Sequence, residues 1–262
     1  MEALTKPSTR SMTIQYCRQI TKVMSTSTRH DSFHELIDVA SEAPAVLEQS
    51  DLLMSESGTL SDQEMGNIFS TSLTVIEKLE DRQQRYRAEI GRPLFWTMPS
   101  SVENPADESY DSKVFPFALH FNNLETASQV ILLWSITLQV LCSMLDLYER
   151  FFDTSALSPA FKRSNAADAT VPVPILNSRF PTMLSVKAEA DKLARYLCQT
   201  IEYCHRISNG TIGPQMTCYS QWILKSYFRR LNYKRELAWC LNIKNMRGPE
   251  FRHGIELMGF QE

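Results

Sequence analysis

The stretch that most constrains the fold is Val130 to Leu145, "VILLWSITLQVLCSML", which is apolar on nearly every side of a helix. It is shorter than the roughly 18–20 apolar residues that span a bilayer. Gln139 interrupts the run and Asp146 bounds it. A helix that is apolar all round lies in a core, with neighbours on several sides. We therefore predict a central core helix over Leu124 to Phe152 and no membrane association.

Other helices are predicted from apolar residues at three- and four-residue spacing. They cover Ser32 to Met54 with a break at Pro44, Ser61 to Gly91, Met183 to Ile207, and two further segments after Pro214. Glycine occurs only 8 times, which disfavours a protein built from tight turns. We predict the all-α class: a single irregular bundle of antiparallel helices around the central hydrophobic helix, with two long Pro-rich loops.

The two loops are predicted over 92–123 and 153–181, both rich in proline. The first is unusually long for a compact domain, so we interpret it as a flexible excursion or a lid. Its composition favours flexibility in the middle part, and we expect its apolar ends to pack on the body. Residues 1–30 are basic and rich in Ser and Thr, which indicates a disordered tail; a mitochondrial transit peptide is the alternative. Residues 31–262 are predicted to form the single helical domain.

Charge and cysteine content restrict the function classes. The net charge is −3, so the surface as a whole is not built to attract nucleic acid. The 6 cysteines are spread along the chain without a C-x-x-C pair, which indicates buried free thiols in a reducing compartment. No secretory signal is visible. We expect a nuclear or cytoplasmic protein that is not secreted.

The segment with the most chemically versatile side chains is Arg195 to Gly210, "RYLCQTIEYCHRISNG", in which Glu202 and His205 form E-x-x-H. Metal-binding helical bundles use that spacing. On a helical wheel, one arc is apolar and defines a buried face, made of Ala190, Leu193, Ala194, Leu197, Ile201 and Cys204. Glu202 falls about 130° from the centre of that arc, so we predict an exposed pair with Arg206. His205 falls at its edge and is predicted half-buried.

This geometry disfavours a metal site. Cys198 and His205 share a face but lie about 10 Å apart along the axis, too far for one zinc ion. A di-metal carboxylate bundle needs a second E-x-x-H, which the sequence lacks. The nucleotide-binding and hydrolase motifs with fixed spacing are also missing. We therefore predict a core cysteine pair beside a half-buried histidine, and neither metal nor cofactor.

The basic run Lys225 to Arg235, "KSYFRRLNYKR", interleaves charge with aromatic residues. Nucleic-acid surfaces have this pattern. A helix hairpin with Tyr227 and Phe228 inward and the arginines in solvent is the interpretation that we favour.

Three stretches carry a family resemblance: "LIDVASEAPAVLEQSDLL" (36–53), "PFALHFNNLETASQVILLWSITLQVL" (116–141), and "ADKLARYLCQTIEYCHRISNGTIGPQMTCYSQWILKSYF" (190–228) followed by "KRELAWCL". Their order resembles the C-terminal regulatory domain of fungal binuclear zinc-cluster transcription factors. That family reads DNA with a separate zinc-cysteine module. Its cysteine pattern is absent here. The resemblance implies a regulatory body without the DNA-reading module, serving protein contacts and, in many members, secondary metabolism.

Two functional interpretations follow. The favoured one is a non-enzymatic, transcription-factor-like regulatory or protein-interaction domain. It expects a protein partner, no sequence-specific DNA binding, no convergent polar cluster in a pocket, and an exposed apolar patch. The alternative is a helical enzyme of a biosynthetic pathway that binds an apolar small molecule in an inter-helix cavity. Its candidate catalytic residues are Asp146, Glu149, Tyr203, His205 and Arg230.

Overall fold

The computed structural model describes residues 32–55, 62–109, 112–151, 180 and 182–251. Most of them are helical, which confirms the all-α prediction. The helices are α1 (Ser32–Ala40), α2 (Ala43–Ser55), α3 (Asp62–Ile90), α4 (Leu124–Phe151), α5 (Met183–Cys204), α6 (Ile212–Met216), α7 (Cys218–Arg230) and α8 (Lys234–Leu241). The predicted tail at 1–30 and nearly all of the second loop lie outside the described residues.

Helix α4 is the predicted core helix. Every residue from Val130 to Leu141 is buried. Within the described residues α4 is the one helix long and apolar enough to cross a membrane, and 89% of its apolar window is buried inside the protein. That burial is typical of a core helix, because a lipid-facing helix leaves apolar side chains exposed.

Helix ends follow the local sequence closely. Gly91 closes α3 with a φ of 66°, the left-handed conformation that glycine adopts without strain. Its N–H donates to the carbonyl of Arg87 at 3.1 Å. Pro44 stands at the start of α2, where its missing N–H costs nothing. Helix α5 ends at Cys204, three residues before the predicted end at Ile207, and a 3₁₀ turn covers Ile207–Asn209.

The first predicted loop is more ordered than expected. Strand β1 (Phe95–Pro99) pairs antiparallel with β2 (Phe117–Phe121), and a 3₁₀ turn covers Pro105–Ser109. The two strands lie at the apolar ends of the segment, and their pairing was not predicted. The apolar ends do pack on the body, because Leu94, Phe115 and Phe121 are buried.

The chain divides into two compact units. The first unit is Met1–Gln84 with Gln139–Ala190, and the second is Arg85–Leu138 with Asp191–Glu262. Each of the three boundaries falls inside a helix, namely α3, α4 or α5. In the first unit, the buried guanidinium of Arg82 lies 3.4 Å from the carboxylate of Glu35. An exposed ion pair joins Lys78 to Glu42 at 2.7 Å.

An aromatic cluster connects the sheet to the helices of the second unit. Phe95 meets the buried ring of Trp134 edge-on at 5.2 Å, and Tyr196 lies 5.2 Å from the same indole. Phe115 likewise meets Trp239 of α8 edge-on at 4.8 Å. These contacts fix the sheet against α4, α5 and α8, and so position the segment that leaves β1.

The basic run forms the predicted hairpin of α7 and α8 in the second unit. Tyr227 and Phe228 are buried and Arg229 is exposed, as predicted. The chain turns at Asn232, whose φ is 56°. Arg230 and Arg235 are half-buried, which corrects the expectation that all arginines lie in solvent. Arg235 donates to the carbonyl oxygen and to the hydroxyl of Ser112.

Candidate functional site

The buried face of α5 is the one that the helical wheel predicts. All six residues of the apolar arc are buried: Ala190, Leu193, Ala194, Leu197, Ile201 and Cys204. Their spacing of three and four residues places them on one stripe, which packs into the core. The helical wheel therefore predicts the orientation of α5 correctly. The candidate functional site lies on the opposite side of this helix.

On that opposite side, Glu202 contradicts the prediction of an exposed pair with Arg206. Its exposed fraction is only 7%. The backbone N–H of Ser101 donates to Glu202 Oε1 at 3.1 Å, and the Ser101 hydroxyl donates to the same oxygen at 2.6 Å. The cause is the chain that follows β1, which crosses this side of α5 and covers it.

A pocket of about 160 Å³ lies beside Glu202. We call it the Glu202 pocket; its lining residues are Ser101, Val102, Glu202, Arg206, Pro249, Glu250 and Phe251. They come from three places: the segment after β1, the end of α5 with the residues that follow it, and the last described residues of the chain. Ser101, Pro249 and Glu250 are exposed and form its rim.

Backbone hydrogen bonds fix the walls of the Glu202 pocket to each other. Glu103 and Arg247 exchange two bonds, N to O at 2.7 and 2.9 Å. The N–H of Ile207 donates to the carbonyl of Glu250 at 2.7 Å. Glu250 has a φ of 61°, a left-handed conformation that costs a non-glycine residue about 1–2 kcal/mol. Backbone hydrogen bonds therefore fix the walls of the pocket, and one wall contains the strained residue Glu250.

One oxygen of the Glu202 carboxylate has no hydrogen-bond donor in the described part of the chain. Glu202 Oε1 accepts both bonds from Ser101, whereas Glu202 Oε2 is buried and has no hydrogen-bond partner among the described residues. A buried acceptor without a donor costs about 1–3 kcal/mol, and more when it is charged. Glu202 is also a lining residue of the pocket, so a small rotation of its carboxylate would turn Oε2 toward a donor from outside the chain.

Arg206 lines the same pocket but is directed elsewhere. Its guanidinium donates to His120 Nδ1 at 3.1 Å and lies over the ring of Tyr203, 5.7 Å from the centroid. Burial lowers the pKa of His120, and the positive charge of Arg206 lowers it further, while Glu202 acts in the opposite direction. His120 is therefore the neutral acceptor that holds Arg206 in place.

The five candidate catalytic residues are divided between the two units. Asp146 and Glu149 are half-buried residues of α4 in the first unit. Tyr203, His205 and Arg230 belong to the second unit. Tyr203 packs edge-on against His120 at 5.9 Å between ring centroids, so it supports the side chain that holds Arg206.

His205 is fully buried, not half-buried as predicted. Its ring stacks on Phe251 at 5.1 Å, and its Nε2 lies 3.2 Å from the hydroxyl of Thr217. The physical reason is again a distant segment, because the residues up to Phe251 cover the edge of α5. His205 thus supports the back of a pocket wall, and Arg230, half-buried at the end of α7, has no side chain in the pocket lining.

The buried thiols are arranged differently from the predicted pair. Cys198 and Cys204 are both buried, as expected, but the neighbour of Cys198 is Cys240 of α8, with 3.9 Å between the sulfurs. Burial raises the pKa of the Cys198 and Cys204 thiols, which keeps them protonated and poor metal ligands. Across the described ranges, no group of three or more His, Cys, Asp or Glu side chains could hold a metal ion.

Sequence reasoning found Glu202 and missed what surrounds it. The E-x-x-H spacing directed attention to Glu202, but with His205 as the wrong partner. Ser101 and the 249–251 segment carry no motif, so no local pattern could have associated them with α5. Comparison of the chain with family models, with curated proteins and with solved structures finds no match.

Proposed function

We propose that this chain is a non-enzymatic protein-interaction domain, which binds a partner through the β1–β2 face of its second unit. One observation carries the proposal. Trp96 and Met98 are 43% and 42% exposed on the same face of β1, and we call these two side chains the apolar shelf. A large aromatic ring and a flexible thioether exposed together are typical of protein-binding surfaces, where Trp is enriched and Met adapts its shape.

Strand register supports the shelf as one surface. In an antiparallel pair, opposite residues lie on the same face, so Trp96 is next to His120 and Met98 is next to Ala118. His120 and Ala118 are buried while the two β1 residues are not. The face is therefore covered on its β2 side and open on its β1 side, where a partner segment has access.

The shelf and the Glu202 pocket are connected by direct contacts. The rings of Trp96 and His120 are 6.2 Å apart, and His120 bonds Arg206, which lines the pocket. The favoured sequence interpretation did not expect converging polar groups in a pocket. We assign them to partner binding, because they lie beside an exposed apolar surface.

The size of the Glu202 pocket supports binding of a side chain over conversion of a substrate. Protein pockets that bind small-molecule ligands have volumes of about 300–1,000 Å³. The Glu202 pocket, at about 160 Å³, holds a group the size of one long side chain. The enzyme alternative calls for a deep apolar cavity, whereas this pocket is small and has the polar side chains of Ser101 and Glu250 at its rim.

The regulatory character of the proposal rests on the family resemblance. A transcription-factor-like regulatory body acts through a protein partner, or competes with a relative for that partner. Such domains accompany genes of fungal secondary metabolism, and we propose the same setting for this chain.

Selection from a random peptide display library tests the proposal. Wild-type protein is expected to enrich a common motif, and Trp96→Ala is expected to abolish that enrichment. Leu241→Ala is the matched control: Leu241 is 44% exposed, as much as Trp96, but it lies on α8. Failure to enrich any motif, or equal loss in the two variants, would contradict the proposed binding face.

A further inference from the structure

We propose that the Glu202 pocket binds one alkylammonium or guanidinium group. Resting on the proposed function, we further infer that this group is a lysine or arginine side chain of the partner segment that covers the apolar shelf. Four properties of the pocket favour such a group: its open acceptor, its charge, its size and its rigidity.

The open acceptor determines what kind of group fits. A carboxylate offers about four lone-pair sites on its two oxygens. Ser101 fills two of them on Oε1, and the buried Oε2 has no donor in the described part of the chain. A ligand with N–H groups supplies the missing donors once the carboxylate turns Oε2 toward the pocket, whereas a carbonyl, a phosphate or an apolar group leaves the oxygen unsatisfied.

The charges that line the pocket favour a cation. Two carboxylates, those of Glu202 and Glu250, stand against the single guanidinium of Arg206, so the formal lining charge is −1. Arg206 donates to His120, and no ion pair within 4.0 Å joins it to Glu202 among the described residues. A bound cation therefore completes the neutralisation that the chain's own arginine leaves incomplete.

The volume restricts the cation to one side chain. A cavity of about 150 Å³ accommodates a molecule of roughly six heavy atoms, such as benzene. The pocket measures about 160 Å³. The lysine side chain beyond its Cβ fits that space, while a nucleotide or a lipid headgroup with its phosphate does not.

The pocket is also built in advance of binding. Two backbone hydrogen bonds between Glu103 and Arg247 join the segment after β1 to the last described segment of the chain. The bond from Ile207 to Glu250 joins that last segment to the residues that follow α5. The left-handed conformation of Glu250 is a local strain at the rim, of the kind that the surrounding structure must enforce. A preformed cradle loses little conformational freedom when the cation enters, so small probes are sufficient to detect it.

Amide NMR of the full chain tests the pocket with small probes. n-Butylammonium is titrated at constant ionic strength, and n-butanol serves as the neutral probe of similar size. We expect saturable shifts of the Ser101, Val102 and Phe251 amides with the ammonium and none with the alcohol. Equal affinity for the two probes, or no saturable shift with the cation, would overturn the assignment.

Variants sharpen that test. Glu202→Gln is expected to weaken n-butylammonium at least about tenfold, since a buried partner of a charge is removed. Glu125→Gln is the control, because Glu125 is an exposed carboxyl in the first turn of α4 that does not line the pocket. Its affinity should stay within about twofold of wild type. Unchanged binding by Glu202→Gln contradicts the proposal; if that variant does not fold, the comparison of the two probes on wild type decides.

Two peptides separate this inference from the proposed function. One carries a lysine between two leucines, and the other has norleucine, which lacks the ammonium, in place of the lysine. Tighter binding of the lysine peptide, lost in both Glu202→Gln and Trp96→Ala, supports both proposals. Equal binding of the two peptides, together with no binding of n-butylammonium, contradicts the Glu202 pocket as a cation site and leaves the apolar shelf as the binding face. If n-butylammonium binds but the lysine peptide binds no tighter than the norleucine peptide, the pocket remains a cation site. The inference that the cation is a side chain of the partner segment is then contradicted.

Discussion

Replacing Trp134 with alanine tests the aromatic cluster of the second unit. Trp134 is 4% exposed and lies 5.2 Å from both Phe95 and Tyr196. A large aromatic side chain buries about 150–250 Å², which at about 25 cal/mol per Å² corresponds to roughly 4–6 kcal/mol. Alanine keeps a part of that area, so we expect a loss of about 3–5 kcal/mol in the free energy of unfolding.

Trp96→Ala is the matched comparison, because the residue type is the same and the exposure differs. Trp96 is 43% exposed and contacts His120 at 6.2 Å between rings. Roughly half of the area is buried and no closed cavity forms, so we expect a loss of about 1–2 kcal/mol. Its main effect should instead be the loss of partner binding.

Urea unfolding of the two variants, followed by circular dichroism, measures both losses. The expected order of decreasing stability is wild type, then Trp96→Ala, then Trp134→Ala, with the two variants separated by at least about 1 kcal/mol. A Trp134→Ala protein as stable as wild type would refute the packing of the sheet against α4. The same reasoning fails if Trp96→Ala is the less stable of the two variants.

Three further results are expected. Gly213→Ala should destabilise by about 1–3 kcal/mol or more in a thermal melt, because its Cβ would lie 2.0 Å from the carbonyl oxygen of Cys204, whereas Gly66→Ala, with open space around it, should not. Because the pKa of His120 is lowered in the folded protein, the unfolded chain takes up a proton at a higher pH than the folded protein does. The contribution of His120 to stability is therefore present above about pH 6.5 and is lost as the pH falls toward the lower pKa of the folded state. The difference in unfolding free energy between wild type and His120→Gln should shrink over that range. In gel-shift assays at physiological salt the chain should give no sequence-specific DNA complex, and a discrete complex that depends on Lys225–Arg235 would contradict this.

Sequence periodicity was sufficient to predict helices and their inward faces. The apolar arc of α5 and the closure of α3 at Gly91 were both predictable, because they depend on residues within a few positions of one another. The burial of α4 followed from composition alone. These features require no knowledge of which segments meet in space.

Glu202 marks where that reasoning ends. A helical wheel separates the faces of one helix, but whether the polar face meets water depends on the rest of the chain. Here the covering residue, Ser101, is 101 positions away in sequence. The same limit explains why His205 was predicted half-buried, because the residue that covers it is Phe251. It also explains why the pairing of β1 with β2 was not predicted, because both strands lie in a segment whose composition is that of a loop.

The most direct test of the account is the position of the ligand's ammonium in the complex. Nuclear Overhauser contacts from the ε protons of a labelled lysine peptide measure it. We predict contacts from these protons to the Ser101 amide and to the ring of Phe251, with the flanking leucines in contact with the Trp96 ring. Lysine ε protons that contact neither residue while the peptide is bound would contradict the Glu202 pocket as the cation site.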